Sequence, residues 1–123
     1  MINLSGMWRG TYWQQGIPTR FEMTLLHGRN TLSGNILDDD PLGEASVAGE
    51  TTGCNLRFTK RYLGQTRHSV RYLGIVSEDG NFMQGQWQIE PFDRGHWEAH
   101  RSDENLSFTR EMRKVDRVGL SQS

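Results

Sequence analysis

Leu4-Ser5-Gly6-Met7-Trp8-Arg9-Gly10-Thr11-Tyr12-Trp13 decides the fold of this chain. Gly6, Trp8, Gly10 and Tyr12 fall on one parity and Met7, Arg9, Thr11 and Trp13 on the other, the period-two pattern of a half-buried strand. Glycine inside a strand costs conformational entropy, so two of them beside large aromatics indicate another segment crossing closely there. The stretch reads as the seam of a small closed β-barrel with Trp8 and Tyr12 facing inward.

Working outward, Gln14 to Pro18 reads as a turn, and Arg20 to His27 alternates Phe21, Met23 and Leu25 against Glu22 and Thr24. His27 to Asn30 is a tight connection into Thr31–Leu37, and Asp38 to Gly43 is a charged, proline-containing loop. Glu44 to Thr51 follows, then Asn55 to Tyr62, where Leu56 and Phe58 oppose Arg57 and Thr59. Arg67 to Ser77 carries Val70, Tyr72, Gly74 and Val76 in phase, and Asp79-Gly80 signals a two-residue hairpin into Phe82–Glu90. Gly95, Trp97, Ala99 and Arg101 mark the closing strand. Short, evenly spaced strands joined by hairpin-length turns predict an all-β fold, an eight-stranded antiparallel up-and-down barrel over residues 1–102. Gly34, Gly49, Gly74 and Gly85 stand mid-strand, as the kinks that curl a sheet into a small barrel require. Residues 103–123 read as a C-terminal extension, partly extended or frayed.

Composition agrees. An apolar share of 34% in 123 residues and a mean hydropathy of −0.71 suit strands that bury one face only. A net charge of −1 gives no general attraction to nucleic acid or anionic membrane. Cys54 is the single cysteine, so no internal disulfide is possible. The first residues lead straight into a strand without a basic start or apolar run, so no signal peptide and a cytoplasmic location are expected.

Gly6-Met7-Trp8 has the glycine-any-tryptophan form of the calycin barrels, the lipocalins and avidins, in which a basic residue of the last strand packs over that tryptophan. By that resemblance Gly6, Trp8 and Arg101 are structural partners. His96-Trp97-Glu98-Ala99-His100-Arg101, then Asn105-Leu106-Ser107-Phe108-Thr109-Arg110, is similar to the closing strand of the avidin–streptavidin group. Gly85-Gln86-Trp87-Gln88-Ile89 resembles its penultimate tryptophan strand. Trp87, Trp97 and Asn105 match wall and polar positions of that group. Where its ureido-binding polar residues would stand, however, this chain has Gly10, about Gln14, Ile36 and Asp38. The resemblance therefore implies the barrel and not tight biotin binding.

Catalytic and metal-binding patterns are weak. His96 and His100 are about 13 Å apart along one strand face, too far to share a metal, and they oppose the inward Trp97. Asp38, Asp39 and Asp40 lack the spacing of a calcium loop. Glu22 and Glu98 fall on the water-facing parity. Arg110, Arg113, Lys114 and Arg117 are interleaved with Glu104, Glu111 and Asp116, which cancels most of their field.

The aromatic set carries the functional expectation. Tyr12, Phe21, Phe58, Tyr72, Trp87 and Trp97 share inward parities, and an eight-stranded barrel is just wide enough to be filled or to hold one small ligand. Gly10, Gly74 and Gly85 would leave room beside these rings. The reading is a non-catalytic barrel that binds a small, partly apolar molecule in its mouth, with these six residues and Asn105 as the site. No cofactor, nucleic acid or membrane is expected. Trp13, Leu26, Leu73 and Ile75, on outward parities, suggest a homo-oligomer. The alternatives are an interaction module with a plugged barrel, and a barrel enzyme with a carboxylate or histidine at its rim.

Overall fold

Period-two alternation is realised in eight strands: β1 (Gly6–Gln14), β2 (Ile17–Gly28), β3 (Thr31–Asp38), β4 (Glu44–Thr52), β5 (Asn55–Tyr62), β6 (Ser69–Val76), β7 (Phe82–Ile89) and β8 (Asp93–Arg101). The computed structural model describes residues 2–39, 43–64, 69–90 and 93–102. Asn105, the C-terminal extension and its basic residues lie outside these. Each strand pairs antiparallel with its successor, and β1 pairs with β8, so the meander closes into a barrel. The expected fold is the observed one.

Closure sorts the side chains. Trp8, Tyr12, Phe21, Met23, Leu25, Ile36, Val47, Phe58, Tyr72, Trp87 and Trp97 are all buried, and they form one core with the other inward apolar residues. Arg9, Glu22, Arg57, Arg71, Gln84 and Gln88 alternate with them and face outward. At the near end lie residues 2–5 and the β2–β3, β4–β5 and β6–β7 connections. The far end carries the β1–β2, β3–β4, β5–β6 and β7–β8 connections. Mid-wall the strands approach closely: a Cβ on Gly85 would strike the Leu73 carbonyl oxygen and crowd the Gly74 Cα, so only glycine lets β6 and β7 pack there.

Three local expectations need correction. The first turn is only Gln15-Gly16, with φ of 52° and 81°, the two positive values of a type I′ hairpin. Its ladder therefore begins at Gln14 opposite Ile17, and Pro18 lies in β2 opposite Trp13. Proline is tolerated because β3 starts pairing with β2 only at Phe21. The Asp79-Gly80 hairpin is longer than two residues. Ser77 N–H donates to the Phe82 carbonyl at 2.8 Å and Gly80 N–H to the Ser77 carbonyl at 2.9 Å. The Asp79 carboxylate accepts from Ser77 Oγ at 2.7 Å and Asn81 N–H at 2.9 Å, bonds that hold its carboxyl below the usual range. Finally, Asp38 is not a loop residue. It ends β3 with 4% exposure and points into the barrel.

Candidate functional site

The near end is a closed floor. Trp8 is fully buried, and its Nε1–H donates to the Leu4 carbonyl at 3.0 Å. The Arg101 guanidinium lies over the Trp8 ring, 4.5 Å from its centre. It donates to the backbone carbonyls of Ser5 at 2.9 Å, Asn3 at 2.9 Å and Gly80 at 2.8 Å. Desolvation there lowers the Arg101 pKa, and the three carbonyls and the ring take the place of water. His27 ties down the same segment: its Nδ1 accepts from the Leu4 backbone N–H at 3.0 Å, and its backbone N–H donates to Ser5 Oγ at 2.8 Å. The tryptophan–arginine pairing expected from Gly6-Met7-Trp8 is present.

Above the floor the six expected aromatics come together, but against one another. Phe58 and Tyr72 stack at 4.8 Å, and Trp97 meets both edge-on at 5.9 and 5.5 Å. Tyr12 lies 6.3 Å from both Phe21 and Trp87. The space that the glycines were expected to leave is occupied. Phe21 covers Gly10, and the Trp97 ring lies over Gly74. The Trp87 ring lies over Gly95 and its Nε1–H reaches the Trp13 carbonyl on β1 at 3.1 Å. Trp97 likewise donates to the Leu73 carbonyl at 3.1 Å. Each indole thus sets its Nε1-side edge against a strand that carries no side chain at that point. Two shallow concavities, of ≈ 440 and ≈ 740 Å³, lie on the outer wall, over Arg9, Arg20 and Glu22 and over Arg57, Arg71 and Leu73.

At the far end stands a group that the sequence reading missed. Lys60 follows Leu56 and Phe58 inward on β5 and is 1% exposed. Its Nζ donates to Asp38 at 2.9 Å (Oδ1) and 2.7 Å (Oδ2). Tyr12 donates its hydroxyl to Asp38 Oδ2 at 3.1 Å, and Tyr62 donates to the same oxygen. Asp38 and Lys60 reach each other across β4, where Ala45, fully buried, pairs with Ile36 on one side and Tyr62 on the other. Burial, and then the Asp38 carboxylate, push the Tyr62 hydroxyl far above the usual tyrosine range. The result is a charge-neutral, water-excluded polar cluster inside an aromatic barrel.

The remaining candidates stay apart from it. His96 stacks on Trp13 at 4.4 Å and His100 tilts against Phe82 at 4.8 Å, both on the outer face. Among the described residues no three histidine, cysteine or acidic side chains gather to hold a metal. Glu22 is exposed, 3.7 Å from Arg9. Leu26, Leu73 and Ile75 are exposed as expected. However, closure sets β2 opposite β6, four strands away in either direction, so these residues do not form one patch.

No family model matches the chain, and no curated protein does. Solved structures share its shape. A redesigned β-barrel, mFAP1, bound to DFHBI aligns with a TM-score of 0.61 at 12% identity, covering 80% of this chain and 94% of that one. A de novo designed fluorescence-activating β-barrel aligns with a TM-score of 0.56 at 12% identity, covering 83% and 100%. At such identity the likeness is one of fold.

Proposed function

We propose that this protein is a non-catalytic barrel that binds a small molecule at its far end, where Tyr12, Asp38, Lys60 and Tyr62 meet. The buried Asp38–Lys60 pair carries the reading. Desolvating two ions costs several kcal/mol each, roughly, and apolar residues of similar volume would serve stability as well or better. The Asp38 carboxylate of such a pair, held by the Tyr12 and Tyr62 hydroxyls, is suited to fixing the orientation of a ligand's polar group, with Tyr72 and Trp87 as apolar neighbours. That mFAP1 is bound to DFHBI in a barrel of this shape is consistent with such a use. The polar outer wall, with Arg57, Gln84 and Gln88 outward, is the inverse of a lipid-facing barrel.

A thermal-shift screen of small amphipathic molecules tests the reading. A true ligand raises the midpoint of the wild type and loses that effect in Tyr62→Ala. Compounds that stabilise both proteins equally would place binding elsewhere and overturn it. The second reading, a structural module with a plugged barrel, is favoured by the indoles of Trp87 and Trp97 lying over Gly95 and Gly74. It is selected if no compound distinguishes the two proteins.

A further inference from the structure

We propose that the far end of the barrel is a cage for a ligand's ammonium group, and that Lys60 sits in it as a built-in occupant. The proposal rests on the reading of this end as the ligand site and names the ligand class, an organic cation with an ammonium head. Lys60 Nζ lies 4.6 Å from the centre of the Tyr12 ring, 4.7 Å from that of Tyr62 and 5.8 Å from that of Tyr72. Asp38 adds a carboxylate at 2.7 Å. An ammonium within about 6 Å of an aromatic face is attracted by the ring quadrupole, most strongly where water is excluded.

The Tyr12 and Tyr62 hydroxyls both donate to Asp38 and so hold its carboxylate toward the Nζ. An anion in the same place would meet that carboxylate and three electron-rich ring faces. The complement of the cage is therefore a cation. Because Lys60 is tethered within it, a free ligand gains entry only in molecules whose lysine has left. Apparent affinity falls in proportion to that fraction.

Lys60→Ala deletes three carbons and the amine, the equivalent of n-propylammonium, and leaves the cage walls in place. Isothermal titration should show n-propylammonium binding this variant at least about tenfold more tightly than the wild type, a gap of about 1.4 kcal/mol. It should also raise the variant's thermal midpoint, whereas 1-propanol, similar in size but uncharged, should do neither. Equal binding of propylammonium to both proteins, or an equal response to propanol, overturns the proposal. If the variant does not fold even with propylammonium present, the wild type decides. The chain has two lysines, Lys60 and Lys114, so lysine-labelled NMR with Lys114→Arg isolates Lys60. Its ε-methylene protons should be shifted upfield by the tyrosine rings, and random-coil positions would overturn the cage. A neutral ligand that moves those signals while the variant shows no ammonium preference would discard the cage and keep the binding reading.

Discussion

Lys60 and Asp38 form an ion pair with side-chain exposures of 1% and 0%, two strands apart on the inner wall of the barrel. Removing one member of a buried pair leaves an uncompensated charge, which typically costs about 3–5 kcal/mol. Asp38→Leu should therefore lower stability by about that amount. Adding Lys60→Met should recover part of the loss, since the stranded charge is then gone. Urea unfolding of the single and double variants measures this. Additive losses would show that the two residues do not act as a pair.

Trp8 and Trp13 sit on opposite parities of β1, one fully buried beneath Arg101 and the other stacked on His96 outside. Truncating a buried tryptophan to alanine costs about 3–5 kcal/mol. Trp8→Ala should lower the thermal midpoint far more than Trp13→Ala. Equal losses would contradict the inward facing of Trp8.

At Gly85 an added methyl meets the Leu73 backbone carbonyl, and backbone of an adjacent strand cannot move aside cheaply. Gly64 has nothing within 4 Å of the same position. Overpacking costs typically about 1–3 kcal/mol, occasionally more. Gly85→Ala is expected in that range or above, and Gly64→Ala within about 0.5 kcal/mol of wild type. Denaturant midpoints compare them.

Tyr62 keeps its proton to unusually high pH in the folded state because of burial and Asp38. Above pH of about 10 the unfolded chain's tyrosine ionises while the folded one does not. The unfolded state then binds fewer protons, so stability present below that pH is lost as pH rises. Thermal midpoints between pH 8 and 11, on the order of the tyrosine range, should fall less steeply in Tyr62→Phe. Identical slopes would refute the assignment.

Biotin should not bind. Ile36 is core at 1% exposure, Gly10 is covered by Phe21 and Asp38 is tied to Lys60. A buried polar head without partners loses roughly 1–3 kcal/mol for each unmet group. Isothermal titration at micromolar concentration should give no heat of binding, and submicromolar affinity would contradict this.

Gly6, Trp8, Gly10 and Tyr12 made the inward parity and the barrel readable from the chain alone, because one-residue slips turn every side chain to the wrong face. The Lys60 cluster was equally present in the pattern. Leu56, Phe58, Lys60 and Tyr62 share a parity, as do Ile36 and Asp38. Charged residues near strand ends usually face water, so parity alone does not mark Asp38 or Lys60 as inward. The pairing itself is not a property of either strand. It depends on the register that β3 and β5 take across β4, and on a residue as small as Ala45 between them. The filling of Gly74 and Gly95 by indoles was hidden for the same reason: a glycine marks vacant volume, and only the neighbouring strands decide what enters it.

With β8 hydrogen-bonded back to β1, the sheet has no edge. Open sheets present a row of free N–H and C=O groups on which another chain can add a strand, and proteins must defend those rows against aggregation. This barrel has no such row to defend. Among the described residues, adding a strand from another chain to this sheet requires first parting two of its paired strands.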